Sequence, residues 1–504
     1  MKPRIYLGPP GTGKTKTLLD VVEERFAAGV RPHEIGYVTF TKKAAGEAIH
    51  RACSKFNFVR SDLRYFRTIH SWCFHGLGLS NGDILEGKKL VEFGDWIHEE
   101  ISEARSMDEG STFGFTPGDR ALFMENLSRV KCVPLRRLYD YNDDGISWDL
   151  VDRIQRGLAQ YKTDHHLVDY TDILERYVRE GTPPKLRTLI VDESQDLSQL
   201  QWRVIFFIAK YCDELIIAGD DDQAIYKWAG ADVDYFVEMI GDVRVLGQSY
   251  RVPQKIQKIS SEIISRVQHR RPKEWQPRTK DGVAVPGVVR YSKFFTDIDL
   301  VGSDILILGR NACFLRPVMS YLRSEGIVYN WKGNSSVSGR ILDAIISWEK
   351  LRAGGSILGD DARRVYEYMS SGSRVLRGYK TLPAFGAETP VTLPELKERG
   401  GLLVDSIWHE AMDRIPNEDK LYILRARRRG EKLMAEPRIS VSTIHGAKGG
   451  QGRHVILFTD MAQRTYEEFR RFPEDEHRVW YVGVTRTLEE MTIVSPKTSR
   501  FYDL

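Results

Sequence analysis

Cysteine is scarce and badly placed for pairing. The five residues, at 53, 73, 132, 212 and 313, are odd in number, widely spaced and never form a CxxC pair, which argues against a disulfide framework, a zinc ribbon or an iron–sulfur cluster. Long hydrophobic runs are missing too. The longest, such as Val204–Ala209, fall far short of the roughly 20 apolar residues that a membrane span needs. Nor is one charge in excess, since 74 Lys and Arg against 70 Asp and Glu leave a formal +4. A general polyanion coat is therefore not indicated, and any polyanion site has to be a local groove. There is no internal repeat or low-complexity tract, and no leader pattern, because charged residues and glycines arrive within the first fourteen positions. These absences lead to the expectation of a soluble cytoplasmic protein.

What is present is phosphate chemistry at both ends. GPPGTGKT (Gly8–Thr15) follows the apolar run Ile5, Tyr6, Leu7 and precedes a segment with Leu18, Val22 and Phe26 on one helical face. That order reads strand, loop, helix, the context of a phosphate-binding loop. Gly8, Gly11 and Gly13 let the backbone come close enough for amides to cradle phosphate oxygens, and the helix N-terminus adds a favourable field. Lys14 is placed to balance charge on the β and γ phosphates, and the Thr15 hydroxyl to ligate magnesium. An arginine motif at Arg486 lies near the other end; if one nucleotide needs both, the ends must meet.

With 504 residues, 41% hydrophobic and 29% charged, the chain is globular and long enough for about three or four units. Ile35–Phe40 alternates as a strand, Thr41 is placed to cap the next segment, and Lys42–Phe56 reads as a helix. From about 77 to 165 the texture turns helical, with Leu90, Phe93, Ile97 and Ile101 spaced by three and four. Leu189–Val191 and Leu215–Ile217 are short apolar runs ending in acidic residues, as buried parallel strands do when their carboxyl ends carry a site. A helix follows Pro253, Ile305–Leu308 opens a second α/β lobe, and Val455–Phe458 and Met491–Val494 close it. Between 345 and 430 only helical patches, a turn-rich stretch and a basic run from Arg425 to Lys432 are visible.

VDESQD (191–196) ends one apolar strand, which suits Asp192 to magnesium and Glu193 to polarising an attacking water. GDDDQAIYKWAGA ends the next. Its Gln223 is suited to sensing a γ-phosphate, and Tyr226 and Trp228 to stacking on a base, although Trp228 taken alone suits a core better.

These stretches occur in order with VTFTKKAAGEA, RTIHSWCF, LGQSYRVP, VSTIHGAKGGQG and YVGVTRT, and together they resemble the UvrD/Rep-like superfamily 1 DNA helicases from the first strand to about Val494. The resemblance implies an α/β fold of two RecA-like P-loop lobes with parallel sheets, each carrying a mainly helical insertion. Residues 1–76 and 166–255 would form the first lobe, 77–165 its insertion, 256–344 and 431–504 the second lobe, and 345–430 the second insertion. It gives ATP to Gly8, Pro9, Pro10, Gly11, Thr12, Gly13, Lys14, Thr15, Lys16, Tyr250 and Gln451, with Mg²⁺ on Thr15 and Asp192. Lys14, Glu193, Gln223, Arg251 and Arg486 take catalytic roles, and Thr39, Phe40, His70, Tyr226, Trp228, Thr443 and His445 contact single-stranded DNA. Taken alone, without the motif match, His70 and His445 suit packing or hydrogen bonding better.

The implied activity is a DNA-stimulated ATPase that walks on single-stranded DNA with 3′ to 5′ polarity and unwinds duplex in replication, repair or recombination. Its partners would be strand junctions and replication or repair proteins. A translocase that strips proteins from DNA is the alternative, and an inactive DNA-binding scaffold a further one. Only eighteen residues follow Arg486, so a helicase–nuclease fusion is not the expectation. No family-type glutamine stands in the seven residues before Gly8, so the preferred base stays open; Ala229 replaces an arginine and Gly450–Gln451 replace leucine–glutamate, which leaves coupling and ribose contact open. The basic stretch Arg266–Arg278 suits either a DNA contact or a connection between lobes, whereas Arg425–Lys432 reads as solvated charge.

Overall fold

The computed structural model describes residues 2–40, 42–103, 116–141, 145–302 and 304–504, with only the backbone of 42 and 43. Thr41, the expected helix cap, lies outside the described residues. The first sheet comprises β1 (Arg4–Leu7), β2 (Ile35–Thr39), β3 (Phe66–Thr68), β4 (Leu186–Val191), β5 (Cys212–Gly219) and β6 (Asp242–Val245). Every strand is parallel to its neighbours, in the order β3-β2-β4-β5-β1-β6. Both faces are buried, which explains the unbroken apolar runs. Ile5, Leu7, Leu189 and Val191 point into a core with Trp72, Tyr177 and Trp202, while Tyr6, Ile35, Tyr37 and Ile190 point the other way, onto Leu18, Val22 and Ala48.

Past a short hairpin of β7 (Thr279–Lys280) and β8 (Val283–Ala284), the chain contributes β9 (Val288–Ser292), β10 (Ile305–Gly309), β11 (Tyr329–Trp331) and β12 (Asn334–Ser335) to a second sheet. A separate antiparallel pair, β13 (Ser356–Leu358) and β14 (Pro390–Thr392), precedes β15 (Ile439–Thr443), β16 (Gly452–Phe458) and β17 (Thr487–Val494), which complete that sheet in the order β12-β11-β15-β10-β16-β17-β9. Only β11 and β12 pair antiparallel within it. The molecule is thus α/β, with a phosphate-loop lobe and a second lobe.

Each lobe carries a mainly helical unit with its own core: one around Phe93, Leu122, Ile154 and Tyr161, the other around Trp348, Tyr366 and Trp408. The expected limits of these units need correction, because texture along a sequence does not reveal which core a side chain enters. Ile84, expected in the insertion, lies in the first-lobe core, together with Val168, expected there. Val252, expected in the first lobe, packs with Ile256, Leu306 and Leu308 in the second. The limit at 345 cuts helix Gly339–Arg352, whose Leu342 and Ala344 share a core with Trp348. The β13–β14 pair also lies in a stretch read as helical.

The basic stretch after helix Gln254–Ile264 ties the lobes together. Arg270 grips Asp222 with two bonds of 2.7 and 2.5 Å, and Arg271 donates to the Phe236 carbonyl. Lys273 Nζ lies 3.2, 2.5 and 3.1 Å from Asp220, Asp221 and Asp222, fully buried. These three carboxylates are grouped like cation ligands, and the cation they hold is the lysine ammonium. By contrast, Arg427, Arg428 and Arg429 end helix Asn417–Arg429 as exposed residues, with Arg429 beside Glu325 at 3.8 Å. No helix among the described residues is long and apolar enough to cross a membrane.

Candidate nucleotide and strand site

β1 delivers the loop, and helix Lys14–Ala27 starts where Gly13 turns left-handed at φ 81°. Gly11 also needs its left-handed φ of 72°, and a Cβ there would come 2.3 Å from Arg251 Cβ, so only glycine lets that arginine lie against the loop. The clasp is tight: Tyr250 N–H donates to the Gly11 carbonyl at 2.8 Å, and Ser249 Oγ to the Pro10 carbonyl at 2.7 Å. Thr12 Oγ1 closes the loop on the Pro9 carbonyl at 2.8 Å. Lys14 Nζ donates to the Gly8 carbonyl at 3.1 Å and lies 3.6 Å from Glu193.

At the end of β4, Asp192 is held from two sides, by the Tyr37 hydroxyl at 2.9 Å and by Glu193 N–H at 2.9 Å. Burial, then the neighbouring Glu193 charge, push its carboxyl up to about 6. Glu193 takes a left-handed φ of 53°, a costly conformation for a non-glycine residue and one found at functional sites. Burial works to raise its carboxyl, but Lys14 and Lys448 outweigh burial and hold it down, so it stays ionised. Gln195 Nε2 fixes one Glu193 oxygen at 2.6 Å.

The second lobe supplies two guanidinium groups. Arg486 is only 1% exposed and is oriented by the Val482 carbonyl at 2.9 Å and Gln223 Oε1 at 2.9 Å. Burial and the nearby Arg251 bring it down to about 9, so the folded chain holds a cation that an anion would relieve. Burial lowers Arg251 as well; its Nε donates to Gln451 at 2.9 Å. Tyr250 is 68% exposed, with its ring near Gly13.

Pro9, Gly11 to Lys16, Asp192, Glu193, Gln223, Tyr250, Arg251, Gln451 and Arg486 all line one cleft of about 380 Å³, within the usual size of ligand sites. Gly8 and Pro10 serve it through their carbonyls. Sequence reasoning missed Lys448 and Asp196, which also line the cleft and pair across the lobes at 2.6 Å, with Lys448 also donating to the Gln223 carbonyl at 2.7 Å. Lys448 stands inside the quoted HGAKGGQG stretch, so its position was visible while its partner was not.

Beside the cleft lies a group of rings drawn from both lobes. Phe40 stacks on Tyr226 at 5.7 Å, Tyr226 and His445 meet edge-on at 6.3 Å, and Trp228 meets His445 at 6.4 Å. Trp228 is half-buried and belongs to neither lobe's buried core. Burial, then the Arg310 charge, push His445 well below its ordinary range, so it is neutral. Thr39 is buried at the end of β2, and Thr443 Oγ1 accepts from Gly446 N–H at 3.2 Å. His70 makes its ring contact elsewhere, edge-on to Tyr170 at 6.0 Å, and burial lowers it to about 4.

Residues 2–244 match the family model of the UvrD/REP helicase N-terminal domain. The chain is 25% identical over 370 residues to the ATP-dependent DNA helicase PcrA of Bacillus subtilis, covering 66% of this chain and 49% of the relative. A putative ATP-dependent DNA helicase YjcD of the same organism is 25% identical over 253 residues, 48% of this chain and 33% of the relative. PcrA of Staphylococcus aureus is 23% identical over 300 residues, 54% of this chain and 39% of the relative. The chain spans about half the length, or less, of the curated relatives it matches. The motifs stand in order across both sheets, and these matches beside them support a UvrD/Rep-like superfamily 1 helicase.

Proposed function

We propose that this chain is an ATP-dependent DNA helicase that translocates on single-stranded DNA with 3′ to 5′ polarity. One observation carries the reading: Lys14 and Glu193 from the first lobe face the same cleft as Arg251 and Arg486 from the second. A nucleotide bound there is a ligand of both lobes, so binding and hydrolysis bias how closely they approach. The lobes and their insertions are assigned with the limits at 84 to 85, 168, about 252 and about 337 that the packing supports.

In this reading the amides of Gly11 to Lys14 and the Lys14 ammonium hold the phosphates, and Tyr250 covers the base. Glu193 aligns the water and takes its proton. Arg251 and Arg486 meet the charge that builds on the transferring group, with Gln223 holding Arg486 at the correct angle. Thr15 and Asp192 offer oxygen donors that fit a magnesium ion, since Asp192 is fixed by two hydrogen bonds and lines the cleft with Thr15. Bound there, the ion would neutralise phosphate charge. The rings of Phe40, Tyr226, Trp228 and His445, with Thr39 and Thr443, would take the strand by stacking that tolerates any sequence.

The deciding experiment supplies each nucleotide in turn with duplexes tailed at the 3′ or 5′ end. Hydrolysis that rises with single-stranded DNA, and separation of 3′-tailed duplex only, are expected. Hydrolysis indifferent to the strand would sink the reading.

A further inference from the structure

A second cationic pocket opens on the edge of the first sheet, apart from the cleft. It holds about 330 Å³ and is lined by Arg64, Tyr65, Arg67, Trp72 and His75, with Tyr177 and Pro184 from the other wall. No carboxylate lines it. Outside the cleft, Arg129, Arg270 and Arg310 each grip at least one carboxylate. Here, among the described residues, neither Arg60, Arg64 nor Arg67 has an acidic partner. The nearest acid in sequence, Asp62, is taken up by Val59 N–H at 3.0 Å.

The rim is also preorganised. Arg67 lies on β3 with Nε donating to the Arg64 carbonyl at 2.7 Å and Nη1 to Ser71 Oγ at 3.4 Å, which fixes the guanidinium plane and leaves Nη2 to donate elsewhere. Burial lowers the Arg67 pKa, and the Arg64 and Arg60 charges lower it further, so like charges are held together without relief. Arg64 rests on the Tyr65 ring at 5.7 Å. The floor is rigid: Trp72 Nε1 donates to the Tyr177 hydroxyl at 2.9 Å, and a Cβ on Gly76 would come 2.5 Å from the Tyr177 ring. A planar guanidinium fork beside a second arginine and an imidazole is the donor set that matches phosphate oxygens.

We propose that this pocket is a second phosphate site, separate from the cleft, which takes the phosphate of a nucleic-acid strand or of a free nucleotide. It stands independently of how the cleft works, because none of its lining residues lines the cleft. Its yield is retention: an added phosphate contact raises affinity for a polyanion and deepens its salt dependence.

The test uses the full chain and two variants, Arg64→Gln, whose backbone carbonyl still holds Arg67, and the double variant Arg64→Gln with Arg67→Gln. A fluorescent oligonucleotide and inorganic pyrophosphate are titrated separately over a range of salt, with a fluorescent nucleotide reporting on the cleft. For a strand, the double variant should bind the oligonucleotide roughly tenfold more weakly at low salt, and the slope of log affinity on log salt should shrink by about 0.7 per lost contact. A loss confined to pyrophosphate assigns a free nucleotide instead. Unchanged binding of both probes in a folded double variant overturns the proposal. Cleft binding should be unaltered in both variants, so failure of this site and failure of the proposed function give different readings.

Discussion

Glu193 sits between two demands that only its position reconciles. Its left-handed backbone costs about 1 to 3 kcal/mol, yet it sends the carboxylate toward Lys14, with Gln195 holding one oxygen. Glu193→Gln keeps the shape and the amide contact but removes the proposed base, so nucleotide binding should survive while hydrolysis falls about 10²- to 10⁴-fold; filter binding beside single-turnover hydrolysis checks this. Arg486→Ala should cost more, about 10³- to 10⁵-fold in turnover. Because Arg486 carries its charge into a buried site against its own desolvation, the thermal midpoint without nucleotide should hold steady or rise. A fall of many degrees would mean that Arg486 is structural. Trp228 belongs to the ring group, so Trp228→Ala should weaken strand-stimulated hydrolysis by about 1 to 3 kcal/mol in strand affinity and leave basal hydrolysis alone. Equal losses in both would count against stacking.

At the scale of elements, what was legible is what local chemistry dictates. The phosphate loop, helix Lys42–Phe56 and strands β4, β5 and β10 follow from apolar runs ending in glycine or acid, because a strand buried on both faces has no polar alternation to hide it. β9 was not legible: Val288–Ser292 is an edge strand with exposed Val288 and Tyr291, and it is fixed by its pairing with β17 and by Val289 packing on the second-lobe core. The same holds for the pairing of Lys448 with Asp196, since 252 residues separate the partners and neither sequence neighbourhood names the other. Helix Pro117–Val130 hides a further feature of this kind. Its Glu125 shares Arg129 with Asp169, Asp172 and Glu175, and burial pushes its carboxyl up to about 7. A carboxyl whose folded pKa lies above its unfolded value releases its proton first in the unfolded chain. Stability should therefore fall as pH climbs from the ordinary glutamate range to about 7, by about 3 kcal/mol at most. Glu125→Gln should flatten that slope and raise the denaturation midpoint at pH 8, and a variant with an unchanged slope would place the titration elsewhere.

Across the whole molecule the two lobes meet through a buried ionic knot whose effects reach the cleft. Lys273, on the crossing between lobes, lies 3.2 Å from Asp220. Asp220 accepts from Gln223 Nε2 at 2.6 Å, and Gln223 Oε1 accepts from Arg486 at 2.9 Å. Arg478, on helix Pro473–Val484 of the second lobe, donates to the Asp221 carbonyl at 3.0 Å and closes the circuit. Replacing the lysine by a neutral side chain leaves Asp222 on Arg270 but strips Asp220 and Asp221 of their buried cation, an uncompensated charge that costs about 3 to 5 kcal/mol. Lys273→Met should therefore lower the calorimetric midpoint and split one endotherm into two, as each lobe keeps its own core but loses the joint. It should also slow hydrolysis with little change in nucleotide affinity, because Gln223 would be free to turn away from Arg486 while Tyr250 and the phosphate loop stay clasped by the Gly11 and Pro10 carbonyls. A variant that melts in one step at the original midpoint would show that the lobes are joined elsewhere. One that melts in two steps yet hydrolyses normally would show that the knot holds the lobes without setting the angle of Arg486.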